Sequence, residues 1–340
     1  MSNIKKKVAI ICGGRSLEYA LSIVSAKNIA SNLEKLYTVS ILCIDKSGHW
    51  HYGSTEDIIN GDSLLEANFN YKNAQEVHIS KGGNLRNNKE SIVETIDVVF
   101  PITNGIDGHQ GAISGMMKLL DIPCVGSDVF ETVVCIDKEI TKSLLQNYSL
   151  PIVPYLIGRR YEDHNFDDIV TKLGLPFFIK PCRLSSSAGI SKVSSKDEYE
   201  GAVISALEFD DKFLIEKAIN GREIETGVIG NKKPKVSNII GETVVNDYGC
   251  FNKSRGEFIV PASINNNLKE QILTYANEAY KVLGCKGFAR IDFFLDEEEK
   301  MYINEATTLP IFTNESMFTK LWKDDIEEVV CSLVEMSFDK

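Results

Sequence analysis

The chain has 340 residues, enough for two domains of ~150 residues each or for three smaller ones. It carries 37 Lys and Arg residues against 48 Asp and Glu residues, so the formal net charge is −11. This acidic balance, without a block of basic residues, argues against nucleic acid and against an anionic membrane surface as the main partner. Hydrophobic residues make up 43% and charged residues 25% of the chain, which excludes disordered and fibrous proteins.

The eight cysteines are spread along the chain without a C-x-x-C pair, so the sequence predicts neither a zinc cage nor a redox-active dithiol. Most of them lie in apolar runs, where we expect buried free thiols in a reducing compartment. No apolar stretch approaches the ~18 residues of a membrane helix, and the first residues lack the pattern of a signal peptide. We therefore expect a soluble, cytoplasmic protein.

The first third of the sequence alternates between strand and helix patterns. The segment KKVAIICGG predicts a buried strand with a glycine turn, and the helix that follows has Ser16 as its expected N-cap. Further strands are predicted in YTVSILCIDKSG and in IDVVFPI, and a helix in GAISGMMKLLDI, whereas residues 52–90 are expected to form loops or short elements. This β-α-β order predicts a parallel, doubly wound sheet. The glycines of GGRS lack the G-x-G-x-x-G spacing, which disfavours a dinucleotide cofactor.

The rest of the sequence is also a mixture of helix and strand patterns. A helix in IDKEITKSLLQNYSLPIVP is followed by the strand LPFFIKP, a Ser- and Gly-rich loop and another helix. Strands then predominate to about residue 262. The last part predicts a helix in NNLKEQILTYANEAYKVLG, a hairpin in GFARIDFFLDEEEKMYINEATTLP and one amphipathic helix over residues 318–337.

Two acidic residues are expected to meet in the predicted hairpin. Arg290 and Asp292 lie on its first strand, and Glu305 lies at the end of its second strand. The turn between the strands would place Asp292 and Glu305 on neighbouring positions. Two carboxylates without histidine or thiolate suit Mg²⁺ rather than Zn²⁺. The alternative for an isolated pair of this kind is two solvated acids at strand ends.

Two lysines and a small-residue loop suggest a site for a polyphosphate. Lys180 ends the apolar strand PFFIK, where an unpaired ammonium group would be costly to bury, and Lys138 lies at the start of a separate helix. The loop RLSSSAG after Lys180 can offer backbone N–H groups and hydroxyls to phosphate oxygens. Together with a carboxylate pair for Mg²⁺, this set suits phosphoryl transfer from ATP.

In this order the motifs resemble those of the D-alanine–D-alanine ligase family. The resemblance covers nearly the whole chain, through GGRSLE, DKEITK, FIKPCRLSSSAGISKV, EKAINGREIE, GCKGFARIDFF and INEATTLPIFTNESMF. It implies an α/β protein with the ATP-grasp fold, preceded by a Rossmann-like parallel α/β domain. The implied domains are residues 1–128 for the first substrate, 129–218 for the ATP lid, and 219–340 for the metal and catalytic site.

The resemblance also assigns roles to individual residues. The family's catalytic positions match Glu18, Ser186 and Arg290. Its ATP-binding positions match Lys138, Lys180, Ser186, Glu216, Lys217 and Glu223, of which Glu216 and Lys217 belong to the adenine hinge and Glu223 to the ribose contact. Its metal ligands match Asp292, Glu305 and Thr307, for two Mg²⁺ ions with Mn²⁺ as an alternative. Its substrate-binding positions match Glu18, Asn104, Lys253, Ile311 and Ser316; Glu18 would receive the first ammonium group and Ser316 the second carboxylate.

Several of these positions depart from the family pattern. Thr307 stands in place of a metal-binding Asn, and Ile311 in place of a Gly. Residues 104–115 read NGIDGHQGAISG, which replaces the His, Glu, Asp and Gln of the family motif; His109 is read as a surface residue in preference to a catalytic one. The loop VVNDYGCFNKSRGEF lacks the usual Y-x-x-K-Y pattern, and either Lys253 or Arg255 would bind the carboxylate unless both are merely solvated.

The function expected from the resemblance is ATP-dependent ligation of two small amino acids. ATP would phosphorylate the first carboxylate, and the amine of the second substrate would then displace phosphate, with D-Ala–D-Ala as the product. One alternative is a D-Ala–D-Ser ligase or a specialised ligase of a natural-product pathway. Another is a nucleotide-binding protein without catalysis. The resemblance also suggests a homodimer.

Overall fold

The computed structural model describes residues 5–16, 18–61, 66–103, 105, 108, 110–162, 164–185, 188–244 and 257–339. Within them the chain forms three main β-sheets that follow one another in sequence, and two small sheets. None of the α-helices in this described part has both the length and the apolar character that crossing a membrane requires. Five of the cysteines described are buried and two are half-buried, all as free thiols, which confirms the expectation for most of them.

The first part of the chain supplies ten strands and two α-helices of the described residues. In chain order they are β1 (Lys7–Gly13), α1 (Tyr19–Leu33), β2 (Thr38–Ile44), β3 (Trp50–Gly53), β4 (Ile58–Ile59), β5 (Asn68–Phe69), β6 (Gln75–Glu76), β7 (His78–Ser80), β8 (Asn84–Arg86), β9 (Ile92–Thr95), β10 (Val98–Pro101) and α2 (Ala112–Leu119).

The first sheet has a parallel centre and an antiparallel edge. Strand β1 pairs in parallel with β2 and β10, as the sequence pattern predicts. Strand β3, however, runs antiparallel to β2, and β6 extends this edge. The reversal follows from the tight turn after β2, in which Asp45 accepts hydrogen bonds from the N–H groups of Ser47 and His49 while Gly48 has φ +94°. A connection this short can join only antiparallel strands.

Helix α1 covers this sheet and begins slightly later than predicted. Its apolar side chains recur at helical spacing, and Ile23, Ala26, Ala30 and Leu33 are buried in the first core. The prediction of Ser16 as the N-cap is wrong, because the regular helix starts at Tyr19 with Glu18 at the N-cap position. The Ser16 hydroxyl instead accepts a hydrogen bond from the Glu18 N–H at 3.1 Å, before the helix begins. The first turn of α1 is tied to the glycine turn after β1, because the Gly13 N–H donates to the Ser22 hydroxyl at 2.8 Å.

The middle of the chain adds four helices and four strands. They are α3 (Val129–Ile136), α4 (Lys138–Asn147), β11 (Tyr155–Arg159), α5 (Phe166–Leu173), β12 (Phe177–Pro181), β13 (Ser191–Val193), α6 (Lys196–Leu207) and β14 (Lys212–Lys217). The second sheet has the order β11-β14-β12-β13 and is antiparallel throughout. Because side chains alternate along a strand, Phe177, Ile179 and Phe213 face the core under α5 and α6, whereas Lys180 and Glu216 point the other way.

A buried ion triad ties α4 to the second sheet. The Glu216 carboxylate lies between two ammonium groups, with Oε1 2.6 Å from Lys142 Nζ and Oε2 2.6 Å from Lys180 Nζ. Glu216 and Lys142 are each 1% exposed and Lys180 is 6% exposed, so all three charged groups are removed from water. Burial alone would raise the pKa of Glu216, but the two lysines more than offset it and lower this pKa to about 2. The triad keeps Glu216 ionised and holds both lysines in place.

The last part of the chain forms the third sheet. Its elements are β15 (Gly221–Ile229), β16 (Lys235–Val236), β17 (Gly241–Val244), β18 (Glu257–Ile259), α7 (Asn266–Val282), β19 (Phe288–Asp296), β20 (Met301–Thr307), α8 (Met317–Leu321) and α9 (Ile326–Met336). The strands run antiparallel in the order β18-β17-β15-β19-β20, with β16 beside β15. Helix α7 packs on one face through Ile272, Ala276 and Ala279, against Ile224 and Ile291.

The prediction of a single helix over residues 318–337 is wrong, because the structure has α8 and α9 with a break between them. Trp322 follows α8, is 3% exposed, and lies so close to Gly227 that a Cβ there would be 2.5 Å from the indole nitrogen. Asp325 then precedes α9, whose first turn carries two acids that the helix dipole favours. Helix α9 packs against α1, so the end of the chain returns to the first sheet.

Acidification should remove the stabilising contribution of Glu216. The pKa of Glu216 in the folded protein, about 2, lies below the ordinary value of 4.5. Between these two pH values the unfolded chain therefore binds more protons than the folded chain. The stability is therefore complete above pH ~4.5 and is lost as the pH falls toward ~2. A shift of this size corresponds to roughly 3 kcal/mol at neutral pH. Urea unfolding at a series of pH values should show this decline.

The matched variants are Glu216→Gln and Glu200→Gln, the second on the exposed face of α6. Glu216→Gln should be less stable at pH 7, because two buried ammonium groups lose their counter-charge, and its stability should depend less on pH below 4.5. Glu200→Gln should follow the wild type. Equal pH dependence in all three proteins would contradict the role given to Glu216.

Candidate functional site

A cavity between the three parts of the chain collects many of the predicted site residues. Its walls come from the start of α1, from α3 and α4, from the loop after β12, and from the end of β20 with the segment that follows. The predicted residues on these walls are Glu18, Lys138, Arg290, Glu305, Thr307 and Ile311. Residues that are distant in sequence thus share one site.

Acidic side chains form a row across the third sheet. Asp292 of β19 is paired in register with Glu305 of β20, which confirms the expected neighbouring positions. On its other side, Asp292 is paired in register with Glu225 of β15. Glu223 lies two residues earlier on the same face of β15, and ligand oxygens of Glu223, Glu225 and Asp292 lie within 4.8 Å of one another. We call Glu223, Glu225, Asp292 and Glu305 the acid row.

Arg290 supplies the positive charge beside the acid row. Its Nε donates to Asp292 Oδ1 at 2.7 Å and its Nη2 donates to Oδ2 at 2.8 Å, a two-pronged contact between residues on the same face of β19. Its Nε also lies 2.8 Å from Glu225 Oε2. Burial would lower the pKa of Arg290, but Asp292 and Glu225 raise it well above its ordinary value. The guanidinium therefore stays charged.

Two lysines approach from the second sheet and α4. The Lys138 ammonium group donates to the carbonyl of Leu184 at 2.8 Å, which places it against the Ser- and Gly-rich loop. Burial lowers the pKa of Lys138; the nearby Glu305 opposes this shift and the nearby charge of Lys180 adds to it. Lys138 and Lys180 thus face the same region, and Lys180 is held there by the ion triad.

The cavity wall also carries the carboxylate of Glu18. Glu18 lies at the N-terminus of α1, and its pKa is raised by burial. A positively charged ligand would reverse this shift, because it would stabilise the ionised form. The arrangement is suited to an ammonium group.

The donor set of the acid row fits a hard cation. Its ligands are carboxylate oxygens, with the Thr307 hydroxyl nearby, since Thr307 is paired in register with Arg290 and lines the cavity. Such oxygen ligands are preferred by Mg²⁺ and Mn²⁺ rather than by Zn²⁺.

Other predicted site residues lie outside the cavity wall or outside the described residues. The Ser316 hydroxyl lies 2.7 Å from the carbonyl oxygen of Ile311 and 2.8 Å from that of Thr313, and so closes the loop before α8. Lys217 is exposed at the end of β14, next to Glu216, whose carboxylate is engaged in the ion triad. The predicted residues outside the described part are Asn104, Ser186 and Lys253, together with His109 and Arg255.

The sequence analysis missed two charged residues of this region, Glu225 and Lys142. Both could have been found by periodicity. Glu225 follows Glu223 by two residues on a strand, which puts both on one face, and Lys142 follows Lys138 by four residues on a helix. The cavity wall from α3, which includes Cys135 and Ile136, carried no such signal.

Family models described as the N-terminus and the C-terminus of D-ala D-ala ligase match residues 7–127 and 144–335. A D-alanine–D-alanine ligase of Proteus mirabilis is 38% identical, over 98% of this chain and 96% of the relative. D-alanine–D-alanine ligase A of Salmonella typhimurium is 36% identical, over 99% of this chain and 96% of the relative.

Solved structures of D-Ala ligases are also similar to this chain. The D-alanine–D-alanine ligase of Coxiella burnetii superposes with a TM-score of 0.85 at 29% identity, over 98% of this chain and 96% of the other. The VanG D-Ala:D-Ser ligase of Enterococcus faecalis also has a TM-score of 0.85, at 28% identity, over 98% of this chain and 99% of the other. The chain therefore has the ATP-grasp fold and belongs to the D-alanine–D-alanine ligase family.

Proposed function

We propose that this protein joins two D-alanine molecules at the expense of ATP. The observation that carries the proposal is the cavity in which the half-buried carboxylate of Glu18, a lysine, an arginine and the end of the acid row meet. In the first step, the carboxylate of one D-alanine attacks the γ-phosphorus of ATP and releases ADP. In the second, the deprotonated amine of the other D-alanine attacks the acyl phosphate, and phosphate leaves.

Lys138 and Lys180 are proposed to bind the phosphates of ATP. The ion triad holds two ammonium groups against one carboxylate, so a net positive charge is buried and an anionic ligand would compensate it. Because Lys142 already pairs with one oxygen of Glu216, Lys180 can contact a phosphate without leaving that carboxylate uncompensated. Ser186, the hinge at Glu216 and Lys217, and Glu223 as the ribose contact stay predictions from the family resemblance.

Asp292, Glu305 and Thr307 are proposed to hold two Mg²⁺ ions, with Mn²⁺ as an alternative. The bound ions would neutralise charge on the transferred phosphoryl group. Thr307 offers a hydroxyl on a shorter side chain than the Asn of the family pattern, so water is expected to complete the coordination.

The amino acids are proposed to lie between Glu18 and Arg290. Glu18 would bind the ammonium group of the first D-alanine, and Arg290 would donate hydrogen bonds to the oxygen that becomes negative during both steps. Asn104, Lys253, Ile311 and Ser316 are proposed to shape the remaining substrate contacts. Ile311 lines the wall at a position where the family has glycine.

Ligation of D-alanine to D-serine is the second candidate, because the VanG D-Ala:D-Ser ligase is structurally similar. A protein without catalysis is disfavoured, since Lys138, Arg290 and Glu305 line one cavity together. The domain boundaries 1–128, 129–218 and 219–340, a cytoplasmic location and a homodimer remain part of the proposal.

Phosphate release with a panel of amino acids tests the function. D-alanine alone should support release of phosphate from Mg²⁺-ATP, and mass spectrometry should find the dipeptide of D-alanine; L-alanine is the negative control. Release that requires D-serine beside D-alanine would establish the second candidate. ATP binding without phosphate release for any amino acid would contradict catalysis.

Lys180→Ala should reduce ATP turnover by roughly 10²–10³-fold, because loss of a phosphate-neutralising charge costs several kcal/mol in the transition state. The fold should survive, since Lys142 still pairs with Glu216. Lys196→Ala, which removes an exposed lysine of α6, is the control and should keep wild-type turnover. Near-normal turnover in Lys180→Ala would place the ATP phosphates elsewhere.

Thr307→Asn should lower the Mg²⁺ concentration needed for half-maximal activity. The amide carbonyl reaches about one bond further than the hydroxyl and is a better ligand for a hard cation that requires ~2.1 Å distances. Thr307→Val, which keeps the shape and removes the oxygen, should raise that concentration. A Mg²⁺ requirement that is identical in all three proteins would put Thr307 outside the metal site.

A further inference from the structure

Glu225 connects Arg290 to the neighbouring strand β17. Its Oε1 accepts a hydrogen bond from the Thr243 hydroxyl at 2.6 Å, and its Oε2 lies 2.8 Å from Arg290 Nε. Glu225 is 1% exposed and Thr243 is 3% exposed, so water does not compete for either contact. The two oxygens of this carboxylate therefore have different partners: one is fixed to the sheet and the other faces the guanidinium.

Arg290 also contacts Asp292, which would bind a cation under the proposed function. Both oxygens of Asp292 accept hydrogen bonds from Arg290, at 2.7 and 2.8 Å. If Asp292 binds a cation, its oxygens turn to that cation, and the guanidinium must share or give up these contacts. Glu225 offers a carboxylate at the same Nε atom and so can hold Arg290 when Asp292 is engaged.

We propose that Glu225, held by Thr243, is the positioning residue that keeps Arg290 aligned in the cavity while Asp292 binds the cation. The role of Asp292 as a cation ligand rests on the proposed function. The contact between Glu225 and Arg290 is seen in the structure and does not depend on it. Glu225 does not touch substrate in this scheme; it acts through Arg290. Thr243 contributes by removing the freedom of the Glu225 side chain.

A direct role of Glu225 as a cation ligand is less well supported. Ligand oxygens of Glu223, Glu225 and Asp292 do lie within 4.8 Å of one another. However, a cation at Glu225 would have to displace either the Thr243 hydroxyl, 2.6 Å from one oxygen, or the Arg290 guanidinium, 2.8 Å from the other. The two roles predict different effects on cation affinity.

Kinetics of Glu225→Gln give the first test. The amide preserves shape but removes the charge, and kcat should fall at least tenfold while KM for ATP and for D-alanine changes less than threefold. Thr243→Val should cause a smaller fall in kcat, and Thr243→Ser should restore it, because serine keeps the hydroxyl. Glu242→Gln is the matched control: Glu242 lies beside Thr243 on β17 but pairs with Arg222, and its loss should leave kcat unchanged.

The second test does not depend on turnover. In protein labelled with ¹⁵N-arginine, the Nε–H signal of Arg290, assigned with Arg290→Lys, should exchange slowly with solvent and remain so when Mg²⁺ is added. In Glu225→Gln this signal should exchange faster, and faster still with Mg²⁺, whereas the Mg²⁺ concentration at half-saturation should change less than threefold. Thermal melting of each variant establishes that it is folded. The Arg290 Nε–H signal is also measured in Thr243→Val, which removes the hydroxyl that holds Glu225 but changes no charge.

Two results would overturn the proposal. An unchanged Arg290 signal and unchanged kcat in Glu225→Gln would show that Asp292 alone positions the arginine. A tenfold loss of Mg²⁺ affinity with the Arg290 signal intact would make Glu225 a cation ligand. If the wild type forms no dipeptide, the proposed function fails, but the Arg290 signal in the resting protein still decides whether Glu225 holds the guanidinium.

Discussion

The register between β15, β19 and β20 is the constraint on which the rest of the site depends. Because these strands are antiparallel neighbours, Glu225, Asp292 and Glu305 lie side by side, and Arg290 occupies the same face two residues away. A shift of one residue in any strand would turn its charged side chains into the apolar layer under α7. The buried apolar residues on the opposite face therefore fix the register, and the register fixes the charges.

Charge compensation determines how these groups can be buried at all. Unpaired charges in a protein interior are costly, and both the ion triad and Arg290 bring buried charges against opposite ones. In the second sheet, Glu216 compensates Lys142 and Lys180; in the third, Asp292 and Glu225 compensate Arg290. Among the described residues, two ammonium groups face one carboxylate in the ion triad, whereas the carboxylates of the acid row outnumber the guanidinium of Arg290. A nucleotide with its divalent cations has the charge distribution that complements both.

Two departures from the family pattern lie on the wall of the cavity. Thr307 is the last residue of the strand that carries Glu305, Ile311 lies in the segment after that strand, and both line the cavity. Such positions change the shape and the ligand set of a site without disturbing the sheet below, because the sheet is stabilised by the apolar face against α7. The chain thus combines the scaffold of its family with its own cavity lining.

Local patterns in the sequence determined the existence of most helices and strands, the meeting of Asp292 with Glu305, and the motifs that identify the family. Period-two and helical spacing are local properties, and a hairpin brings together residues that are close in sequence. Tertiary structure decided the break between α8 and α9 and the partners of Lys142 and Glu225. In each of these cases the outcome depends on a contact between distant segments: Trp322 against Gly227, Lys142 against Glu216, and Arg290 between Glu225 and Asp292. Burial requires a partner for each of these charges, and only the packing of the whole chain determines which residue that partner is.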